Sequence, residues 1–401
     1  MPFHSHPRRL RWSALCNAVL AVQFAFTLLA PHARAQGEAS SVEMALGGVS
    51  LRLGGTFQPR LSYGFAAGDG EADDLDRVGF GLRRARLRAT ATFGPSFGVY
   101  YDVDLATGDV RSVDLHGFWQ ATPHLRFRAG YLVGAQPRAY AFTSHTRLDA
   151  VDRAAISERW AGGTIGSSGR DFGFDVRYET DVWTLDAFVH NGDGSFSRDR
   201  GNFRESVSGL SATRGVDTDG LAVSGFVNYK PAALPGVEVG GFAGYNGSEN
   251  PSTAPDGREE GRRYVSYSGH LYWGARPGSQ PLRVKADVIG IRYEELPGEG
   301  TAPTVVAQHS LGYSVFAAAR VLRHGEVFAR GEQYHPLLDG GVSGDVGADT
   351  YFTAGASYSL SARRGLPYRQ ERVTVAYANG LPAAAALADQ HLVVVQFQFV
   401  F

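Results

Sequence analysis

The sequence has few cysteines, few lysines and no long hydrophobic run beyond its first residues. The single cysteine, Cys16, lies near the N-terminus, so the rest of the chain can form neither a disulfide nor a thiolate-ligated metal site. Lys230 and Lys285 are the only lysines, and arginine supplies all other basic side chains. No stretch of 18 apolar residues follows residue 35, which excludes membrane-spanning helices there.

The composition that remains favours strands and turns. Glycine occurs 51 times and 12% of the residues are aromatic, as suits an all-β chain with many turns. The formal net charge is -1, and loss of the four arginines before residue 36 would make the chain mildly acidic. This balance argues against a nucleic-acid partner.

The first 35 residues have the pattern of a secretory signal. Arg8, Arg9 and Arg11 form a basic stretch, residues 14–30 are largely apolar, and Ala33 and Ala35 make a small-x-small cleavage site. We predict a signal peptide over residues 1–35, and one mature domain over residues 36–401. An uncleaved N-terminal anchor is the alternative, although the apolar run is short for one.

The mature chain repeats one pattern, in which segments of about ten residues alternate between apolar and polar side chains. Such alternation predicts half-buried strands. Sixteen segments show it, near residues 49–65, 79–93, 97–106, 111–122, 124–134, 171–179, 182–191, 219–229, 237–246, 263–274, 281–293, 305–320, 325–334, 350–360, 370–379 and 390–401.

The connections between these segments alternate between long and short. We therefore predict an all-β fold, a transmembrane antiparallel β-barrel of 16 strands with long external loops and short periplasmic turns. The C-terminal stretch "DQHLVVVQFQFVF" fits this prediction, because a closed barrel pairs its last strand with its first and leaves no open edge. A soluble β-sandwich is the alternative, but it would not need polar alternation in every strand.

One block resembles a known family. "GFGLRRARLRATATFGPSFGVYYDVDLA" at 79–106 is similar to the N-terminal signature of the phosphate-selective porin O and P family, and "RFRAGYLVGAQP" at 126–137 and "NGDG" at 191–194 fit the family's layout. The resemblance implies a homotrimeric outer-membrane porin surrounded by lipid and lipopolysaccharide. It also implies passage of small hydrophilic solutes or anions and no cofactor.

Arginines on the predicted inward face could favour anions. Rows of cations along a pore wall raise the local concentration of anions and lower the barrier to their passage. The alternative is that these side chains are neutralised by neighbours such as Asp102, Asp104 and Asp114. This anion ladder comprises Arg52, Arg60, Arg84, Arg86, Arg88, Arg126 and Arg128.

The longest connection, residues 135–170, could narrow the pore. The third loop of sixteen-stranded porins folds into the barrel, and a helix over residues 148–160 would carry charges of both signs into it. The alternative is a loop that stays outside. The predicted constriction residues are Arg147, Asp149, Asp152, Arg153, Glu158 and Arg159.

Together these features predict a passive outer-membrane porin with a modest anion preference, phosphate being one candidate solute. A general or carbohydrate-preferring porin without anion specificity is the alternative. A barrel enzyme such as an outer-membrane lipase or protease is a third hypothesis, but it needs a converging catalytic set. The G-x-S-x-G spacing at 94–98 falls between two strands rather than at the strand-to-helix turn that a nucleophilic serine needs.

Overall fold

A computed structural model describes residues 42–67, 77–166, 168–192, 194, 220–247, 263–294, 308–339, 347–383 and 389–401. The predicted signal peptide and the predicted mature N-terminus at Gln36 lie outside these residues. None of the helices in these ranges is long and apolar enough to cross a membrane.

Seventeen strands carry most of the described chain. A short strand, β1, spans Val42–Leu46 and precedes the sixteen others. These are β2 Val49–Ala67, β3 Arg77–Phe93, β4 Phe97–Asp104, β5 Arg111–Gln120, β6 Leu125–Leu132, β7 Asp171–Glu179, β8 Trp183–His190, β9 Ala222–Tyr229, β10 Val237–Asn246, β11 Tyr264–Trp273, β12 Leu282–Tyr293, β13 Gln308–Leu322, β14 Gly325–Asp339, β15 Asp349–Ser359, β16 Glu371–Leu381 and β17 Asp389–Val400.

Strands β2 to β17 form a closed antiparallel barrel. Each pairs with its neighbour in sequence, and β17 pairs with β2, with Val395 opposite Leu61 and Val400 opposite Thr56. The terminal Phe401 completes the closure: its carbonyl oxygen accepts from Gly55 N at 2.7 Å, and its N–H donates to Gly55 O at 3.1 Å. The predicted sixteen-stranded barrel is confirmed, and each of the sixteen alternating segments overlaps one of its strands.

Alternation along each strand separates the two faces of the wall. In β8, Trp183, Leu185 and Val189 are exposed on the outside, whereas Asp186 and Phe188 are buried on the inside. Lipid tails provide no hydrogen-bond partners, so an apolar outer face and a wall with every strand paired are what a bilayer requires.

Strand β1 was not predicted from the sequence. It pairs with residues 49–53 of β2, in the stretch of β2 that lies below the end of β17. A two-residue turn of Gly47 and Gly48, with φ of 57° and 83°, joins the two strands. Positive φ at both positions suits the hairpin turn that matches strand twist. Thus β1 covers an edge of β2 that closure by β17 leaves open.

Within the described ranges, the connections contain two helices and one 3₁₀ turn. The turn at His145–Arg147 and helix α1 at Ala155–Gly162 belong to the long connection between β6 and β7. Helix α2, at Leu360–Arg363, lies in the short connection between β15 and β16.

Candidate pore and its arginine-lined wall

The connection between β6 and β7 lies inside the barrel. Helix α1 contacts strands β12, β13 and β14. Tyr293 on β12 donates from its hydroxyl to Gly163 O at 2.7 Å, and the N–H of Ile156 donates to Glu332 Oε2 at 3.2 Å. Gly312 on β13 gives α1 room, because a Cβ there would lie 2.7 Å from Ile156 Cγ2. We call residues 133–170 the inner loop.

Two aspartates tie the inner loop to different parts of the wall. Asp149 contacts Arg283 Nη1 at 2.5 Å and Lys285 Nζ at 2.6 Å, both on β12. Asp152 contacts Arg60 at 3.1 Å on β2 and Arg83 at 2.8 Å on β3. Strand β12 is six strands from β2 through the β17–β2 closure, so these anchors lie well apart around the barrel.

This anchoring corrects the predicted helix over residues 148–160. Helix α1 begins only at Ala155, and Leu148 and Ala154 have extended backbones with ψ of 143° and 136°. In a helix Asp149 and Asp152 would project from one face. An extended segment instead lets them reach separate strands, so the four ion pairs override local helix propensity.

The anchoring carboxylates stay ionised over the usual pH range. Burial raises the pKa of Asp152, but the Arg83 and Arg60 charges outweigh it and lower the value to about 2. Burial likewise opposes the Lys285 and Arg283 charges at Asp149, whose pKa is nevertheless lowered. Both aspartates are therefore committed to ion pairs, which leaves little of their charge to act on a solute.

The other predicted constriction residues fall in different places. Arg153 donates to Thr143 O at 3.0 Å, and its guanidinium lies 5.2 Å from the Tyr140 ring centroid. Arg159 contacts Asp349 at 3.2 Å. Arg147 ends the 3₁₀ turn, and burial followed by the charges of Arg276 and Arg369 lowers its pKa to about 10. Glu158, on α1, borders the open part of the lumen described below.

A bulge in β3 sets which arginines face inward. Gln58 pairs with Arg84 and Pro59 with Leu82, so Arg83 is an extra residue with no partner on β2. Proline lacks an N–H for the ladder and is commonly found at such bulges. The extra residue shifts the alternation, so Leu82 is 40% exposed on the outside whereas Arg84 is 4% exposed inside. Arg83 also turns inward, to Asp152.

Four of the predicted ladder arginines line the wall formed by β2 and β3. Arg60 pairs with Asp152, and Arg86 pairs with Asp104 at 3.0 Å and Asp102 at 3.8 Å. Arg84 donates to Gln58 Oε1 at 3.0 Å, and Arg88 donates to Gly55 O at 3.0 Å. Arg84 and Arg88 have no carboxylate within 4 Å among the described residues.

The other three predicted ladder arginines lie elsewhere. Arg52 pairs with Glu43 on β1, where both side chains are exposed. On β6, Arg128 contacts Asp175 at 2.5 Å and Asp186 at 3.7 Å, and Asp186 also pairs with Arg177, so these carboxylates compensate its charge. Arg126 donates to Gln120 Oε1 at 2.6 Å. The structure therefore does not join all seven arginines into one row.

The inner loop fills one side of the lumen. Ile156, Trp160 and Ile165 of the loop pack into an apolar cluster with inward residues that include Phe188 on β8 and Ile291 on β12. Two cavities between described residues on this side measure about 20 and 50 Å³, room for a few waters at most. In the described part of the chain the loop therefore packs closely against this side of the wall.

The opposite side of the lumen holds a larger opening, about 370 Å³ in volume, between the inner loop and strands β3 to β5. Six arginines line it and only two carboxylates do. The arginines are Arg83, Arg84, Arg86, Arg111, Arg153 and Arg170, and the carboxylates are Asp104 and Glu158. We call this opening the arginine cavity. Even after Arg170 pairs with Asp114 at 3.3 Å, it carries excess positive charge.

The sequence patterns did not identify several of these residues as functional. Arg111 and Arg170 lie at strand ends, and only the folded loop brings them to the same cavity. Lys285 lies far from the inner loop in sequence yet binds its Asp149. Arg83 was detectable, since Pro59 within a strand and Leu82 on the same alternation as Arg84 together indicate a bulge.

No protein-family model matches the sequence, and no curated protein is detectably similar to it in sequence. Solved structures match it in fold. An anion-selective porin from Comamonas acidovorans is 13% identical, with 88% of this chain and 100% of that one covered and a TM-score of 0.59. The outer-membrane channel DcaP of Acinetobacter baumannii is 12% identical, with 89% and 99% covered and a TM-score of 0.59. OmpF of Salmonella typhi, solved with daunomycin, is 14% identical, with 89% and 100% covered and a TM-score of 0.56. The chain therefore has the fold of the outer-membrane porins.

Proposed function

We propose that this chain is a passive outer-membrane porin with a modest preference for small anions. The observation that carries the proposal is the arginine cavity, in which six arginines face two carboxylates on the side of the lumen that the inner loop leaves open. Excess positive charge along a narrow aqueous passage attracts anions and repels cations. The fold of an anion-selective porin supports the same conclusion.

The preference should be modest because much of the lumen charge is internally paired. Arg86 lies 3.0 Å from Asp104, and Arg128 is held by Asp175 and Asp186. Water and salt also screen the remaining charges, with a Debye length of about 8 Å at physiological ionic strength. Phosphate remains a candidate solute on the sequence resemblance. We expect no tight binding of phosphate while it permeates, because the paired and screened charges attract it only weakly.

The same pairing supports a second candidate, a general or carbohydrate-preferring porin. One recording separates the two. In a planar bilayer with a KCl gradient, an anion-preferring channel has a zero-current potential of the sign set by chloride, and phosphate reduces its chloride current more than a sugar does. A zero-current potential near zero, with block by sugar and not by phosphate, would favour the general porin.

We further propose that the chain is exported with cleavage after Ala35, assembles as a homotrimer in outer-membrane lipid and lipopolysaccharide, and catalyses no reaction. The signal pattern and the family resemblance support export and assembly, and Ser96 lies in the short turn between β3 and β4 rather than at a strand-to-helix turn. N-terminal sequencing of the membrane-purified protein should begin at Gln36. Native mass measurement should give three copies; recovery of residues 1–35, or of monomers only, would contradict the respective part.

A further inference from the structure

The 3₁₀ turn of the inner loop presses a histidine against the β2–β3 wall. His145 is only 6% exposed, and its Nδ1 lies 3.4 Å from Arg86 Nη1. A guanidinium can only donate, so Nδ1 must be the acceptor and the ring proton lies on Nε2. Burial, then the charges of Arg86, Arg84, Arg88 and Arg153, lower the pKa of His145 well below its ordinary value. The imidazole is therefore neutral and presents Nε2–H as a donor.

That donor has no acceptor among the described residues, and neither do two neighbouring ones. His145 Nε2, Arg88 Nε and Arg153 Nε are all buried without a hydrogen-bond partner in the described part of the chain. Buried polar hydrogens are nearly always satisfied in folded proteins. Arg88 and Arg153 are near enough for their charges to act on His145, so the three unsatisfied donors share one neighbourhood. They indicate an acceptor that the protein itself does not supply.

The uncompensated charges of three arginines also indicate a bound anion. Arg84, Arg88 and Arg153 have no carboxylate within 4 Å among the described residues. Their hydrogen bonds go to neutral oxygens, those of Gln58, Gly55 and Thr143. Neutral acceptors satisfy N–H groups but leave the charge uncompensated, and an uncompensated buried charge is strongly unfavourable. A bound anion would provide both the acceptor and the charge.

We call the group formed by His145, Arg84, Arg86, Arg88 and Arg153 the seat. Buried polar side chains border it, because Gln58 accepts from Arg84 and Thr146 follows His145. Gln398 donates to Thr146 O at 3.1 Å, and Gln58 donates to Gln398 Oε1 at 2.7 Å. Gln58, Gln398 and Thr146 are all at most 2% exposed. Arg84, Arg86 and Arg153 also line the arginine cavity, so an ion can enter from the pore.

We propose that the seat formed by His145, Arg84, Arg86, Arg88 and Arg153 binds a resident small inorganic anion, chloride or a phosphate-class oxyanion, which fastens the inner loop to the β2–β3 wall. The anion accepts from Nε2–H of His145 and from the free Nε–H groups of Arg88 and Arg153. Its role is structural and independent of permeation, because a channel without net selectivity can also hold a resident ion. A recording that contradicts the proposed anion preference would therefore not contradict this anion site.

Bromide provides a direct test on the wild-type protein. Crystals of the purified barrel grown in sodium bromide should show an anomalous peak within hydrogen-bond distance of His145 Nε2. Crystals grown with phosphate and without halide should show tetrahedral density at the same place if the oxyanion is the ligand. Water alone in the seat under both conditions, or bromide found only against Arg111 and Arg170, would overturn the proposal.

Thermal unfolding tests the proposed anion site in solution. With chloride replaced by gluconate at constant ionic strength, the wild-type melting temperature should rise saturably with chloride, since a ligand that binds only the folded state stabilises it by mass action. His145→Gln keeps an N–H donor and should retain the effect, whereas His145→Leu should lose it. Arg323→Gln, at an exposed turn, is the charge control and should behave as wild type.

If His145→Leu does not assemble, Arg88→Gln replaces it, with the same expected loss of chloride dependence. A wild-type melting temperature that chloride does not change, or a chloride effect that His145→Leu and Arg88→Gln both retain in full, would refute a resident anion in this seat.

Discussion

Arg83 donates from Nε to Asp152 at 2.8 Å, and it reaches that carboxylate because it occupies the bulge of β3. Without the extra residue at Arg83, the inward arginines of β3 would share a face with Leu82 and point to lipid. The bulge thus provides two things at once, an attachment point for the inner loop and the inward direction of Arg84 and Arg86.

Removing the charge of Asp152 should strengthen anion preference. Asp152→Asn leaves Arg60 and Arg83 without their counter-charge beside the pore. The chloride-to-potassium permeability ratio should rise roughly two- to fivefold, the size expected of a screened interaction of ~0.4–1 kcal/mol. Zero-current potentials in a KCl gradient measure it. Asp181→Asn, at an exposed short turn, is the matched control; an equal shift there would assign the effect to overall charge.

The ion pairs that attach the inner loop to strands β2 and β3 should persist at acidic pH. The pKa of Asp152 is depressed from 3.8 to about 2, so its ion pairs contribute their full stability above pH 4 and lose it as the pH falls through about 2. Single-channel conductance should be steady from pH 7 to 4 and become noisy only below about pH 3. Asp152→Asn should show no such acid transition. A conductance change centred near pH 4 to 5 would contradict the depressed pKa.

Replacing the β3 arginines should reduce selectivity for anions. Inward residues two apart on a strand lie about 6.6 Å apart, close enough for an anion to pass between guanidiniums. Arg84→Gln, Arg86→Gln and Arg88→Gln together should move the zero-current potential toward cation preference, because Asp102 and Asp104 then lose their opposing charge. Arg323→Gln, at an exposed turn, is the control and should not change the zero-current potential. If the triple variant also leaves the zero-current potential unchanged, groups other than these arginines set the selectivity.

Deleting residues 145–162 should widen the pore, since this segment crosses the lumen and fills its β8–β14 side. Single-channel conductance should at least double, as the section open to water grows. The deletion also exposes apolar residues such as Phe188 and Ile291, so the folded barrel should lose its heat-modifiable form at a lower temperature. Deleting residues 252–258 from the β10–β11 connection is the control. Unchanged conductance in an assembled barrel would place the conducting path elsewhere.

Closure at the C-terminus should depend on small residues in β2. A Cβ at Gly54 would lie 2.8 Å from Phe401 O, the atom that accepts from Gly55 N. Gly54→Ala should therefore lower the yield of heat-modifiable barrel, as deletion of Phe401 should. Gly331→Ala on β14, where an added Cβ meets no atom within 4 Å, is the matched control and should assemble normally. Equal yields for the two variants would show that this pairing does not limit assembly.

The barrel could be predicted from the sequence because its signal is local. Apolar and polar residues alternate along the strands, and the apolar run that ends at Phe401 needs another strand to pair with. The interior could not be predicted in the same way. The aspartates at 149 and 152 lie in a stretch that reads as helix, and their extended backbone follows from ion pairs with Arg283 and Arg83, which are distant in sequence. The ion pairs of the predicted ladder arginines could not be read from the sequence for the same reason, since Arg128 meets its carboxylates only through strand register.

The inner loop gives this barrel two interiors with different tolerances to substitution. Where Trp160 packs against Phe242, ring planes 85° apart, the wall behaves as the core of a soluble domain, and a polar replacement would cost stability. Around the arginine cavity on β3 to β5 the wall is polar, and a charge that takes no part in attaching the inner loop can change sign or size while the fold persists. We therefore expect variants of this chain to change solute preference through strands β3 to β5, while the packed part of the interior preserves the architecture of the barrel.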